Sequence, residues 1–235
     1  MTADSIRPDR LPADLLAEAF DHHQTGGFEE AEALYRRIQV IEPAWAEALH
    51  RHGLLVAQLG RLEQADRLLG WASASASADA EAAVNHGKIL RALQKAEAAA
   101  RSFRRALTLS PALLTALEGL GHAERENGNA EAAAGSYGRA ALFGAGPALL
   151  HQWGAALDVI GRTEEAAEAL HRSARIDPTV PSVAVRLAMI LHRMGHDEEA
   201  AGWYRRALVL QPGHRDARRA LFDTIPAAGK LPPEP

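Results

Sequence analysis

Apolar and small residues recur along this chain with a helical spacing set inside a longer beat. In Gly26–Pro43 (GGFEEAEALYRRIQVIEP), Ala31, Tyr35 and Ile38 are spaced as one face of a helix, Glu29 and Glu30 open it, and Pro43 closes it. The alanine returns as Ala65, Ala99, Ala133, Ala166 and Ala200, at steps of 34, 34, 34, 33 and 34 residues. Four residues after each comes Tyr35, Leu69, Phe103, Tyr137, Leu170 or Tyr204, and three further on Ile38, Ala72, Ala106, Ala140, Ser173 or Ala207. A fixed period of this size marks a repeat architecture, in which no unit covers its apolar face alone and each stacks on its neighbours.

Each period also predicts an earlier helix, with a small residue where two helices must approach closely: Ala19, Gly53, Gly87, Gly121, Gly154 and Ala188. Glycine costs a helix interior roughly 1 kcal/mol relative to alanine, so four in register need a reason, and close helix contact is the simplest. Gly26, Gly60, Gly128, Gly161 and Gly195 stand between the paired helices, where Gly marks a helix end, with Gln94 the exception. Pro43, Pro111, Pro178 and Pro212 close repeats, while Ser77 and Ala145 stand where two more prolines are expected. The spacing of these prolines places one missing residue near Gly144–Pro147.

Composition supports helices. Hydrophobic residues make up 47% and charged residues 24%, as in a globular chain. Aromatics are only 5%, which suits closely packed helices better than a sheet. A net charge of −4 and a pI near 6.3 argue against a nucleic-acid partner. The absence of cysteine removes disulfides, thiolate metal ligands and a cysteine nucleophile. No stretch approaches 18 apolar residues, so no membrane insertion is expected, and the opening residues lack the apolar region of a signal peptide. The expected location is the cytoplasm.

With its Gly…Ala…Tyr/Phe/Leu…Ala…Pro pattern over about residues 12–214, the chain resembles the tetratricopeptide repeat (TPR) family. The resemblance implies an all-α fold, a right-handed α-solenoid (TPR superhelix) of antiparallel helix pairs. Its six repeats span 12–45, 46–79, 80–113, 114–146, 147–180 and 181–214. A capping helix over 215–225 follows, with Leu221 and Phe222 covering the last repeat. Residues 1–11 read as a disordered leader and 226–235 as a disordered tail. Glu18, His52 and His86 depart from the family pattern by standing where leucine is usual. The second repeat ends in Ala-Ser alternation without its proline, so its closing helix is expected to be the most weakly held. The opening segment, His23-Gln24 through Ala48-Leu49-His50, also resembles, more loosely, the repeat region of bacterial O-GlcNAc-transferase-like (SPINDLY-type) proteins.

In such a superhelix the first helices line a concave groove, which implies peptide-binding roles for His50, Arg51, Asn85, Lys88, Arg91, His122, Arg125, His151, Gln152, Arg186, His192 and Arg193. Phe20, His23, Gln24, Glu47, Leu54, Gln58, Glu81, Glu118, Glu126, Asp158 and Met189 share that face. Six full positive charges against five negative, with five histidines, favour a peptide segment with some negative charge. Asn85, Lys88, Arg91 and Arg125 form the best local group for gripping a carboxylate, and they resemble only part of the carboxylate clamp of chaperone-binding TPR domains.

Other chemistry is poorly supported. His192 and His196 have the four-residue spacing of paired metal ligands, but Gly195 interrupts them at a helix end and no third ligand is placed. Gly119-Leu120-Gly121 and Gly144-Ala145-Gly146 lack the strand that a dinucleotide loop follows. No nucleophile has a base placed beside it by spacing. Trp153 is expected in the core, Trp45 partly exposed, and Trp71 and Trp203 in inter-repeat packing or self-association. No cofactor or metal is expected. The chain reads as a non-catalytic scaffold or adaptor, monomeric or weakly homo-oligomeric, for a protein or peptide partner. The alternatives are an accessory subunit presenting substrate to a separate protein-modifying glycosyltransferase, and a self-assembling scaffold.

Overall fold

The computed structural model describes residues 11–75, 79–144 and 146–224. Among them are thirteen helices and no strand. In chain order these are α1 (Pro12–Thr25), α2 (Phe28–Ile41), α3 (Ala46–Gln58), α4 (Leu62–Ala74), α5 (Ala80–Ala92), α6 (Ala96–Leu109) and α7 (Leu114–Glu126). They continue with α8 (Ala130–Leu142), α9 (Pro147–Val159), α10 (Thr163–Ile176), α11 (Pro181–Arg193), α12 (Asp197–Leu210) and α13 (Arg215–Thr224). The fold is an all-α solenoid. The expectations for Ser77, Ala145, residues 1–10 and residues 225–235 lie outside the described residues.

Helices this short are marginal alone, so packing has to hold them. The chain divides into two compact units, the first reaching Ala123 and the second starting at Glu124. In the first, α1 pairs with α2, α3 with α4 and α5 with α6, and the pairs stack through α2 on α3 and α4 on α5. In the second, α9 pairs with α10 and α11 with α12, while α8 packs on α9, α10 on α11 and α13 on α12. The periodic residues are the core of both: Ala31, Tyr35, Ile38, Leu69 and Phe103 in one, and Tyr137, Leu170 and Tyr204 in the other, are essentially inaccessible.

The glycines inside the first helices explain themselves by contact. A methyl group on Gly53 would lie 2.7 Å from Leu69 Cγ, one on Gly87 would lie 2.8 Å from Phe103 Cζ, and one on Gly154 would lie 2.7 Å from Leu170 Cγ. Each glycine therefore seats the large residue of its own pair. Gly119 also lies against the Phe103 ring, where a methyl group would come within 2.3 Å of Cε1. The turns take the left-handed conformation at Gly26, Gly60, Gly128, Gly161 and Gly195, and Gln94 adopts it too, with φ 59°. The turn geometry is therefore uniform although its residue is not.

Three expectations need correction. Trp153 is half-buried, not core: its indole lies against α8, so that a methyl on Gly138 would come within 3.2 Å of Nε1. Trp71 is 62% exposed on α4, which fits the exposed patch of the two roles expected for it and not the favoured inter-repeat packing. The cap buries Ala217 and Thr224, with Leu221 half-buried between them, while Phe222 is 52% exposed. Residues 217, 221 and 224 share one helical face at i, i+4 and i+7, and residue 222 is rotated off it.

Candidate functional site

A cleft of about 440 Å³ opens in the first unit between α1, α3 and the start of α5. Phe20, His23 and Gln24 form one wall, Glu47, His50, Arg51 and Leu54 the floor, and Asp79 and Glu81 the far rim. The 34-residue period places these helices side by side, and the four-residue spacing Glu47–Arg51 and His50–Leu54 turns each pair to the same face. Arg51 is held in two ways. Its Nε and Nη2 donate to Glu47 Oε1 at 3.0 and 2.9 Å, and its Cζ lies 4.1 Å from the centre of the Phe20 ring. His23 Nε2 meets Gln58 Oε1 at 3.1 Å, joining α1 to α3.

Asp79 reached this rim through a helix start. Its side chain accepts from Ala82 N at 2.7 Å and caps α5. Asn85 Nδ2 donates to His50 Nε2 at 3.0 Å, which assigns that imidazole nitrogen as acceptor, and Lys88 Nζ lies 3.4 Å from Asn85 Oδ1. Burial holds the His50 pKa below its usual value, against the pull of Asp79 and Glu81. A neutral His50 leaves three carboxylates, Glu47, Asp79 and Glu81, facing one guanidinium that is already paired. The cleft is therefore acidic, whereas the charge count summed over all the first helices is mildly basic.

The remaining candidate residues fall into separate places. Asn85, Lys88 and Arg91 lie on α5, and His122 and Arg125 on α7. None of these five lines the cleft. In the second unit, Asp158 takes both Arg193 and Arg186, the latter at 3.8 Å, so one carboxylate is shared between two cations and the trio keeps a single positive charge. His151 and Gln152 are half-buried on α9. Burial, and then the charge of Arg186, holds the His151 pKa low. His192 Nδ1 sits 2.6 Å from Asp197 Oδ1 across the α11–α12 turn. Among the described residues no three His, Cys, Asp or Glu side chains are grouped to hold a metal ion.

Two partly buried polar networks were not legible from spacing. In the first, Arg61 grips Glu32 through both guanidinium arms at 2.9 and 2.5 Å, Arg36 joins from one turn away, and His52 bonds Gln39 at 2.9 Å while stacking on Tyr35. In the second, His86 Nε2 meets Asp66 Oδ1 at 2.9 Å, and its Nδ1 meets Ser102 Oγ at 3.1 Å and Ser73 Oγ at 3.4 Å. The second has the order of a serine–histidine–aspartate relay. A relay also needs donors aimed at a developing oxyanion, and Ser102 lies in mid-α6, where the backbone amides are engaged in the helix. Ser102 is only 9% exposed, and Lys95 already holds the other oxygen of Asp66 at 2.7 Å. The arrangement is a polar bridge between α4, α5 and α6.

Comparison with known proteins agrees with the helix pairs. Tetratricopeptide repeat family models match residues 84–149 and 183–216. The chain thus carries tetratricopeptide repeats, and neither match reaches the opening segment, so the looser likeness to glycosyltransferase-associated repeats expected there is not confirmed. The C-terminal part of a TPR repeat-containing protein from Cytophaga hutchinsonii superposes with a TM-score of 0.69 at 13% identity, over 89% of this chain and 84% of that one. PilF of Pseudomonas aeruginosa gives 0.66 at 18% identity, over 89% and 96%. MamA from Desulfovibrio magneticus RS-1 gives 0.64 at 20%, over 72% and 97%. At these identities the likeness is one of fold. No curated protein sequence matches the chain. Repeats of this kind generally mediate protein–protein interaction or scaffolding, and no helix among the described residues is long and apolar enough to cross a membrane.

Proposed function

We propose that the chain is a non-catalytic scaffold that holds an extended, basic peptide segment of a protein partner in the first-unit cleft. The observation that carries this reading is the lining itself: apolar Phe20 and Leu54 for a side-chain stem, hydrogen-bonding Gln24 and His50 for a peptide backbone, and the carboxylates of Asp79 and Glu81 in excess of the paired Glu47 and Arg51. An acidic cleft attracts lysine and arginine side chains and repels acidic ones, and this term sets encounter rate and partner choice more than affinity. The six-repeat division, with the first helices supplying the cleft, belongs to the same reading. So does action as a monomer or weak homo-oligomer in the cytoplasm.

Glu81 is the residue to change. It is exposed, whereas Asp79 caps a helix and Glu47 holds Arg51. In a fluorescence anisotropy titration of a labelled lysine-rich peptide against the full chain, Glu81→Lys should weaken binding about tenfold. Its circular dichroism should not change. Equal affinity for wild type and variant would remove the cleft from the binding surface.

A further inference from the structure

The second unit carries a surface of the opposite charge on its second helices. Between α10 and α12 lies a cleft of about 670 Å³ whose lining includes His171, Arg172, Arg175, Pro178, Trp203 and Arg206. Glu168 is the one carboxylate in the lining, against three guanidinium groups. Two of the three are braced on indoles. Arg206 Cζ sits 5.5 Å from the centre of the Trp203 ring while its Nε and Nη2 reach the Pro178 carbonyl oxygen at 3.4 and 3.2 Å. Arg172 Cζ sits 5.9 Å from the Trp153 ring. His171 meets the edge of the other side of Trp203, with ring centres 5.6 Å apart, and its Nε2 lies 3.3 Å from Glu199. Arg175 is exposed at the mouth.

Guanidinium groups held on aromatic faces lose little further freedom on binding, and they offer planar pairs of donors that match a carboxylate. Here Arg172 has the Trp153 face and Arg206 a neutral carbonyl for company, so neither is paired with a carboxylate, unlike Arg51 with Glu47 and the Arg186 and Arg193 that share Asp158. The site is concave, and Trp203 is half-buried and does not protrude, which fits a narrow chain better than a broad surface. The net charge of −4 on the whole chain repels extended polyanionic surfaces, so an acidic peptide fits better than a nucleic acid or an anionic membrane. We propose that this cleft binds an acidic peptide segment, its carboxylates taken by Arg172, Arg175 and Arg206 and its aliphatic stems laid against Trp203. The chain would then join two partner segments of opposite charge, one on each unit.

The test is an anisotropy titration of a fluorescein-labelled glutamate-rich peptide against the full chain at low and at raised salt. Saturable binding that weakens with salt is expected. Arg175→Glu, at an exposed position that no packing depends on, should weaken it about tenfold. Arg175→Glu combined with Arg206→Glu should abolish it, with circular dichroism reporting the fold of both variants. Glu81→Lys in the first unit should leave it unchanged, which separates this site from the basic-peptide cleft. Unchanged affinity in Arg175→Glu would overturn the proposal. So would retention of the chain on anionic phospholipid vesicles or duplex DNA without saturable binding of the peptide.

Discussion

Gln94 shows how one residue can sit in a geometry chosen by its neighbours. Its N–H bonds the carbonyl of Arg91 at 2.8 Å and the next N–H, of Lys95, bonds that of Leu90 at 2.8 Å. This is the paired bonding that ends a helix on a left-handed residue. Glycine fills the place in five other turns because only glycine enters that region without crowding its Cβ. Gln94→Gly should therefore stabilise the chain by roughly 0.5–1 kcal/mol, measured as an increase in the urea midpoint. A midpoint that falls would mean the glutamine side chain contributes more than its backbone strain costs. The histidines carry a different lesson. His52 and His86 stand where leucine is usual in the repeat pattern, and both are bridging groups inside helix contacts, because such a position is a buried one whatever stands there.

At the scale of the element, the same residue type has opposite meanings on different faces of a helix. Gly119 lies under Phe103 with no room for a methyl, whereas Gly135, in mid-α8, would have nothing within 4 Å of one. Gly135→Ala should gain most of the helix-propensity difference, roughly 0.5–1 kcal/mol. Gly119→Ala should lose more than that gain through overpacking, a net cost of roughly 1–3 kcal/mol. Thermal unfolding of the two variants beside the parent checks both signs in one experiment. If Gly119→Ala is neutral, the Phe103 ring shifts freely and close approach is not what selects glycine there. The cap is an element-scale case as well: its arginine-rich helix hid the fact that Ala217, Leu221 and Thr224, not Phe222, form the inward stripe.

For the molecule as a whole, acid is the condition that tells most. His52 is 1% exposed, and burial pushes its pKa down to about 4 from 6.5. The unfolded chain thus binds a proton between those values that the folded chain refuses, and stability falls as pH drops through that window. Glu32 is held below its usual 4.5, first by the Arg61 hydrogen bond, so its contribution is present above 4.5 and lost as pH falls further. Urea unfolding at pH 7 and near pH 4.5 should show a loss that His52→Leu reduces by roughly 1–3 kcal/mol. Identical pH slopes for the two chains would mean that His52 is not the group responsible.

The period of small and large residues was enough, by itself, to specify helices, their pairing and the faces they bury, because those follow from 3.6-residue geometry and from Gly53, Gly87 or Gly154 facing one large side chain each. The six-repeat division and the partner remain proposals resting on that pattern. What only the tertiary structure decided is charge at a given place. Arg51 is paired with Glu47, Arg186 and Arg193 share Asp158, and Asp79 enters a rim from a capping position, so a count along all the first helices does not give the sign of the one cleft in the first unit, which is acidic. Arg172 and Arg206 belong to second helices and keep their charge because indoles and a carbonyl lie beside them, with no carboxylate in contact. Periodicity encodes which face is apolar, since burial acts on each helix as a whole. The sign of a surface depends on which side chains from different repeats end within a few ångströms of each other, and no spacing within one repeat carries that.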